Sequence, residues 1–342
     1  MRDFFQMNKV NIGINGFGRI GRTVCRLMLD NPHLNVVAIN DLADARTLAH
    51  LLKYDSIHGV SQEQIGHEGN HILVNDKKIA LLNHEHPQQI NWASLEVDIV
   101  IEATGKFKTK ADLQFHLDNG AKKVILSAPP VDDNIKMVVY GVNEEIITED
   151  DHIISNASCT TNNAAPMIKV IDDLCGVEQA YITTVHSYTS DQSLHDQPHR
   201  DLRRSRAASQ SIIPTTTGAA KALTTIFPTL ADVIGGCGIR VPVPNGSLTD
   251  ITLNVKKETS IQEINAAFEK ISNEELKNII FYTEDPIVSI DINNSSYSCT
   301  FDSQMTSVIG KMVKIIGWYD NETGYSCRII DLINLLIKKK YV

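Results

Sequence analysis

The sequence predicts an α/β protein of two domains, on three observations. The 342 residues, at roughly 150 per domain, are enough for two separate cores. The first half alternates short runs rich in Val and Ile with helical patterns, as a parallel sheet crossed by helices does. The second half carries longer runs with polar alternation, which suit a mostly antiparallel sheet with helices on one face.

The elements follow in chain order. Val10–Ile14, Val36–Ile39, Val97–Ala103, Lys123–Ser127 and Met137–Val142 read as strands, several apolar throughout as expected for burial on both faces. Between the first two, Arg19–Leu29 places Ile20, Val24, Leu27 and Met28 at helical spacing, which completes a strand–helix–strand unit. In the second half Ala180–His186, Gly238–Val243, Asp250–Val255, Ile287–Asp291 and Lys311–Tyr319 read as strands. Ala165–Leu174, Gly218–Phe227 and Ile261–Ile271 read as helices, and Tyr325–Lys340 as a last helix with a Lys-rich C-terminus.

Composition narrows the function. Hydrophobic residues are 42% and charged residues 21%, so wholesale disorder is excluded. The charge, 32 − 41 = −9, argues against a nucleic-acid partner, which calls for a basic excess. No apolar run reaches the roughly 18 residues of a membrane span. The opening Met1–Gln6 is too short and polar for a secretory signal, and Met7 makes residues 1–6 an extension or a start-site ambiguity. The cysteines are Cys25, Cys159, Cys175, Cys237, Cys299 and Cys327. No two lie closer than Cys159 and Cys175, so no metal-binding pair exists and no metal is expected. Free thiols and a cytoplasmic location are the expectation.

Gly16-Phe17-Gly18-Arg19-Ile20-Gly21 follows the first strand and opens the first helix. In a dinucleotide site the three glycines serve the tight turn, the approach of a pyrophosphate and close helix–strand packing. Asp41 stands about 20 residues further on, at the end of the second strand, where a carboxylate accepts from ribose hydroxyls. The first domain therefore reads as a Rossmann-type domain. A carboxylate at Asp41 repels a 2′-phosphate and favours NAD over NADP; it also suits a cap on the next segment.

Ser155-Asn156-Ala157-Ser158-Cys159-Thr160-Thr161-Asn162 lies between an apolar run and a helical segment expected to begin around Pro166. Cys159 would sit at or near a helix N-terminus, where the dipole lowers a thiol pKa, and the hydroxyls of Ser158 and Thr160 can donate to an anion. Among twelve histidines, His67, His71, His84 and His86 lie in polar stretches. His186 ends an apolar strand before Ser187-Tyr188-Thr189, a position open to an acid/base or a structural role.

These segments, with Ala207–Pro214, Thr217–Lys221, Arg240-Val241-Pro242, Trp318–Glu322 and His50–Ser56, stand in family order. From about residue 8 to 337 the chain resembles the phosphorylating glyceraldehyde-3-phosphate dehydrogenase family. The resemblance implies Cys159 as nucleophile and His186 as its base. It implies Ser158, Thr160, Arg204, Thr217 and Gly218 around the attacking phosphate, and Thr189 and Arg240 around the substrate phosphate. Without it, the Arg200–Arg206 run reads as a solvated face or subunit contact, Thr217-Gly218 as a helix start and Arg240 as a strand ion pair. On the cofactor side the resemblance adds the backbone of Arg19 and Ile20 at the pyrophosphate, Ser127 at a strand end, and Asn321 at the nicotinamide carboxamide. Asn321 otherwise reads as a turn residue.

The implied organisation is an NAD-binding domain, 7–157, completed by a C-terminal helix, 322–342, and a catalytic and oligomerisation domain, 158–321. A homotetramer is implied, with a small phosphorylated aldehyde and inorganic phosphate as ligands. Two departures stand out. Asn163 replaces a second Cys found in many members, which removes an inactivating disulfide with Cys159. Gln197 precedes Pro198 where NAD-preferring bacterial members commonly carry Leu, which weakens the apolar barrier to NADP. The related erythrose-4-phosphate dehydrogenases share several motifs, but Ser187-Tyr188-Thr189 and Thr216-Thr217-Gly218 favour the triose-phosphate reading. A non-catalytic NAD-binding protein is the alternative of another class.

Overall fold

The computed structural model describes residues 9–342; the extension considered at residues 1–6 lies outside them. The chain divides into two compact units. The first comprises the described residues up to Met137, Glu145–Asn156 and Ile329–Val342; the second comprises Val138–Glu144 and Ala157–Arg328.

The strands of the first unit are β1 (Val10–Asn15), β2 (Leu34–Asn40), the short hairpin β3 (Tyr54–Asp55) and β4 (Gly59–Val60), β5 (Ile65–Glu68), β6 (His71–Val74), β7 (Lys77–Leu82), β8 (Ile99–Glu102), β9 (Lys123–Leu126), β10 (Lys136–Met137) and β11 (Ile153–Ser155). One sheet runs β10-β11-β9-β8-β1-β2-β7-β6-β5. It is parallel from β10 to β7, and only β5 and β6 fold back as antiparallel edge strands. Helices α1 (Arg19–Met28), α2 (Ala45–Lys53) and α3 (Lys110–Asp118) are the crossovers. Buried Ile12, Ile14, Ile99, Val100, Ile101, Val124 and Ile125 form the apolar centre of the sheet. Trp92 is wholly buried against Val97, Val100, Leu113 and Val124, and Gly13 of β1 makes room for it, since a Cβ there would fall 2.8 Å from the indole ring.

At the end of this apolar centre the register aligns polar side chains. β1 pairs Asn15 with Asn40 of β2 on one side and with Glu102 of β8 on the other. Three polar residues therefore stand in a row at the carboxyl ends of three central parallel strands, where an open α/β sheet binds its ligands.

The second unit holds β12 (Val177–Ser187), β13 (Ile213–Thr215), β14 (Ile234–Val241), β15 (Ser247–Val255), β16 (Ile280–Thr283), β17 (Cys299–Asp302), β18 (Ser307–Ile309) and β19 (Met312–Tyr319). Its sheet runs β13-β14-β12-β15-β19-β17-β16, with β18 on β19. Pairing is antiparallel except for β12 with β14 and β16 with β17. Helices α4 (Cys159–Cys175), α5 (Ala219–Ile226) and α6 (Ile261–Asn273) belong to this unit. Helix α7 (Thr323–Lys338) starts in it and ends in the first, burying Ile329, Leu332, Ile333 and Leu336.

Three expected elements change. Met137–Val142 keeps only β10 as strand, because Val142 and Asn143 N–H both turn back to the Val139 carbonyl around Gly141 at φ +86°. Ile287–Asp291 is a short 3-10 turn at Ser289–Ile292, started by the Asp291 carboxylate accepting the Val288 N–H at 2.8 Å. Helix α4 begins at Cys159 and carries Pro166 inside it, because Ser158, not Pro166, starts the helix by accepting the Thr161 N–H.

The glycine turn yields a paired test. A Cβ at Gly21 would fall 2.2 Å from the Gly16 carbonyl oxygen, whereas one at Gly18 would meet nothing within 4 Å. Gly21→Ala is expected to lower stability by about 2–3 kcal/mol in thermal or denaturant melts, as a backbone clash does. Gly18→Ala is expected to melt like wild type and to lose dinucleotide affinity, measured by calorimetry.

Candidate active site

In the first unit a cleft of 280 Å³ opens at the carboxyl ends of β1, β2 and β8, lined in part by Gly16, Gly18, Asp41 and Thr104. Gly16 adopts φ +92°, and a Cβ there would meet the Thr104 backbone nitrogen at 2.6 Å, so only glycine fits the turn. Helix α1 starts from Gly18 without a side-chain cap, which leaves its N-terminal end for an anion. The Asp41 carboxylate accepts the Phe17 N–H at 2.8 Å and the Ala43 N–H at 3.0 Å, tying the glycine turn to the end of β2. The cap of α2 is Asp44, which accepts the Thr47 N–H; Asp41 does not fill that role. The Arg19 side chain forms a two-point ion pair with Asp55 at 2.6 and 3.1 Å, so the part left to Arg19 and Ile20 in the cleft is their backbone. Ser127 follows β9 and donates its N–H to Glu102 O; it does not line this cleft.

In the second unit Ala157 sits at φ +53°, a left-handed conformation unusual for alanine. The Tyr325 hydroxyl holds its carbonyl at 3.1 Å. This turn swings the chain into α4, with Ser158 as N-cap and Cys159 as first residue. Cys159 Sγ lies 3.4 Å from His186 Nε2. His186 Nδ1 lies 2.8 Å from the Ser187 carbonyl oxygen and 3.0 Å from Arg240 Nη1; with the Nδ1 proton on the carbonyl, Nε2 turns a lone pair toward the thiol. Burial and the nearby Arg240 cation push His186 down to about 3, so the imidazole is neutral near pH 7. Burial also pushes the Cys159 thiol up, against the pull of Arg240 and Thr160, so the helix N-terminus does not by itself make a resting thiolate as its position predicted. The resting pair is a neutral thiol facing a neutral base.

The ladder of β12 with β14 sets His186 opposite Arg240, whose Nη1 donates to the Ser187 carbonyl at 2.9 Å. Arg204 donates through Nη1 to Asp191 at 2.7 Å and through Nε to the Thr215 hydroxyl at 3.0 Å. Burial pushes the Arg240 guanidinium down, and repulsion from Arg204 adds to it, so the two cations share one field. Gly218 starts α5 without a side-chain cap, and Thr217 Oγ1 accepts the Ala219 N–H. Thr189, at the end of this stretch, accepts the Gln192 N–H on its carbonyl. The hydroxyls of Ser187 and Ser247 both donate to Asn321 Oδ1 at 2.9 Å, which fixes the amide with Nδ2 as donor.

Comparison with known proteins names the family. Residues 158–321 match the model of the glyceraldehyde 3-phosphate dehydrogenase C-terminal domain, and residues 10–110 match that of its NAD binding domain. The chain belongs to the glyceraldehyde 3-phosphate dehydrogenase family. It is 50% identical over 332 residues to the glyceraldehyde-3-phosphate dehydrogenase of Geobacillus stearothermophilus, covering 96% of this chain and 99% of the relative. Identity is 51% over 327 residues to that of Streptomyces coelicolor, covering 94% and 97%. The protein named glyceraldehyde-3-phosphate dehydrogenase 2 of Bacillus subtilis is 47% identical, covering 95% and 96%.

Within this family member the structure adds Tyr319, which the sequence places at a strand end and in the Trp318–Glu322 segment with no role of its own. Its hydroxyl lies 3.0 Å from Thr160 Oγ1, and its ring meets His186 edge-on at a centroid distance of 5.9 Å. The signal available was position, since Tyr319 immediately precedes the turn that carries Asn321. Asn163 is wholly buried and donates to the Ser298 carbonyl at 3.1 Å.

His186 has a pH signature. Its folded-state pKa of about 3 lies below the ordinary 6.5, so the unfolded chain binds a proton first as pH falls. Stability is therefore lost as pH drops from about 6.5 toward 3. Thermal melts of His186→Asn are expected to show a shallower loss over that window than wild type. An equal slope would contradict the buried neutral imidazole.

Proposed function

We propose that this chain carries out NAD-dependent oxidative phosphorylation of D-glyceraldehyde 3-phosphate to 1,3-bisphosphoglycerate through a thioester on Cys159. The observation that carries the reading is the 3.4 Å approach of Cys159 Sγ to a neutral His186 Nε2 at the start of α4. As Sγ adds to the aldehyde carbon, the thiol proton passes through His186 Nε2 to the carbonyl oxygen, which becomes a hydroxyl; the product is a thiohemiacetal and His186 is neutral again. His186 holds the hydroxyl proton as hydride leaves the same carbon, and a thioester remains on Cys159. Inorganic phosphate then attacks the thioester carbonyl, the C–S bond breaks, and the acyl phosphate departs with Cys159 restored. The Cys159 backbone N–H at the helix start and protonated His186 stabilise the oxyanions.

The first unit fits NAD. Its glycine turn is open above Gly18, the start of α1 lacks a side-chain cap, and Asp41 offers a carboxylate that a 2′-phosphate would meet with repulsion. When bound, NAD supplies the hydride acceptor. Gly16, Gly18, Gly21 and the backbone of Arg19 and Ile20 would hold its pyrophosphate, Asp41 its ribose, and Asn321 Nδ2 its carboxamide oxygen. Arg240 and Thr189 take the substrate phosphate; Arg204, Ser158, Thr160, Thr217 and Gly218 take the attacking phosphate. Arginine forks suit both anions. We assign the first unit, in place of the expected 7–157 with 322–342, to the cofactor, and the second, in place of 158–321, to catalysis and oligomerisation; Val138–Glu144, Ala157 and 322–328 fall in the second.

The assembly is read as a cytoplasmic homotetramer. Tyr181, Ile309 and Met312 are exposed on the second sheet, and Leu194 and Leu202 on the segment before β13, which supports a subunit contact. Among the described residues no helix is long and apolar enough to cross a membrane. Sedimentation is expected to give four copies of the 37.9 kDa chain, and a monomer would overturn this.

The catalytic reading is tested by comparing glyceraldehyde 3-phosphate with erythrose 4-phosphate, each with and without inorganic phosphate. The triose should win in kcat/KM and turnover should require phosphate. Cys159→Ser should bind NAD yet form no acyl-enzyme, and His186→Asn should lower kcat about 10²–10⁴-fold, as loss of a general base does. Turnover by Cys159→Ser, or faster oxidation of the tetrose, would reject the assignment.

A further inference from the structure

Beneath the dinucleotide cleft lies a buried polar relay that the proposed chemistry does not use. Glu102 and His116 have no exposed surface, Asn15 and Asn40 almost none, and Trp92 none. Every hydrogen bond in the relay points toward the Glu102 carboxylate. On one side Trp92 Nε1–H donates to His116 Nδ1 at 3.0 Å, which obliges His116 to carry its proton on Nε2, 3.1 Å from Glu102 Oε2. On the other side Asn40 Nδ2 donates to Asn15 Oδ1 at 2.8 Å, and Asn15 Nδ2 donates to Glu102 Oε2 at 2.6 Å. The Thr104 N–H donates to Oε1 at 2.8 Å, and the Thr104 hydroxyl donates to the same oxygen.

Neither arm can reverse. The Trp92 indole has a donor and no acceptor. Asn40 is oriented by the backbone of His84, whose N–H it accepts at 2.9 Å and whose carbonyl receives its Nδ2 at 2.9 Å. The position thus takes a group that accepts on both atoms, and a carboxamide would set a donor against a donor on one side. The row comes from the register that aligns Asn40, Asn15 and Glu102 across β2, β1 and β8.

The relay ends on the cleft. Asn15, Asn40, His84 and Thr104 line it, and Thr104 is the residue against which Gly16 closes. We infer that Glu102 is a positioning residue for the cofactor: it clamps the Ala103–Thr104 turn to the end of β1, so that the glycine turn and Asp41 present a preformed dinucleotide site. Its side chain has no exposed surface and acts through Asn15 and Thr104. The inference rests on reading the cleft as the NAD site.

The test uses the whole enzyme, with NAD binding measured by calorimetry and steady-state kinetics in parallel. Glu102→Gln is expected to weaken NAD binding at least tenfold, about 1.4 kcal/mol. At saturating NAD, kcat and the aldehyde KM should stay within about twofold of wild type, a split that general destabilisation would not give. Trp92→Phe removes only the indole N–H and serves if Glu102→Gln does not fold. It should weaken NAD binding severalfold. In ¹⁵N spectra the His116 ring should keep its Nε2–H, held by Glu102, while its Nδ1 signal shifts as the indole donor is lost. A wild-type chain that binds no NAD would sink the cofactor reading itself. NAD affinity within twofold of wild type in folded Glu102→Gln, or in Trp92→Phe with a shifted His116 Nδ1 signal, would overturn the role of Glu102 alone.

Discussion

The chemistry depends on one piece of strand pairing, the parallel ladder between β12 and β14 inside a mainly antiparallel sheet. That ladder sets His186 beside Arg240 and turns the Ser187 carbonyl into the acceptor for both. The imidazole is thereby held with Nε2 toward Cys159, and with the Nδ1 proton on the Ser187 carbonyl that nitrogen is free to act as base. A slip of one residue would turn every side chain of β14 to the other face and take Arg240 from the site. The thiol comes from elsewhere, off the left-handed turn at Ala157, and the Tyr325 hydroxyl that holds the Ala157 carbonyl keeps that costly conformation in place. Burial acts on both partners in the direction of neutrality, raising the thiol and lowering the imidazole. Activation is therefore a proton transfer that creates charge, and the charge it creates on sulfur falls at the start of α4 and in the field of Arg240.

The two units solve the same problem of placing polar groups at strand ends in different ways. In the first, parallel strands bring Asn40, Asn15 and Glu102 level, and side-chain hydrogen bonds link them into a floor. In the second, hydroxyls do the orienting: Ser187 and Ser247 fix Asn321, and Thr160 meets Tyr319. Each buried polar group limits the rotamers of the next, because an unmatched donor in a dry interior costs about 1–3 kcal/mol. Orientation here is a consequence of satisfied hydrogen bonds.

Much of this was legible in the sequence, and unevenly so. The βα alternation and the glycine turn are local patterns, and they placed β1, α1, β2, β8 and β9 within a residue or two. The edge strands β5 and β6 were not foreseen, since His67, His71 and the turn residues between them read as polar surface. Helix α4 was begun too late because Pro166 is a familiar helix starter, whereas the capping hydroxyl of Ser158 outweighs it. Periodicity could mark Cys159 and His186 only as candidates. Their roles came from resemblance, and the 3.4 Å between them depends on contacts that no spacing along the chain encodes. The thiol shift has the same origin: the helix end, which lowers a thiol, is visible in sequence, and the burial that raises Cys159 is not.

The net charge of −9 illustrates how a sum can hide a site. Taken alone, that number would have the chain repel a phosphorylated aldehyde and inorganic phosphate. Exposed carboxylates, however, are screened beyond roughly 8 Å at physiological salt, whereas a guanidinium in a sparsely hydrated pocket is not. Burial first, and repulsion from Arg204 second, push the Arg240 guanidinium down, so its charge stands in a largely desolvated setting beside a second cation. Asp191 and Asp201 compensate Arg204 from the more exposed side, and Arg240 contacts the Ser187 carbonyl and neutral His186. In the proposed reading, a dianion entering that field is attracted by both guanidiniums at once, and that attraction outweighs the mutual repulsion of the two arginines at short range.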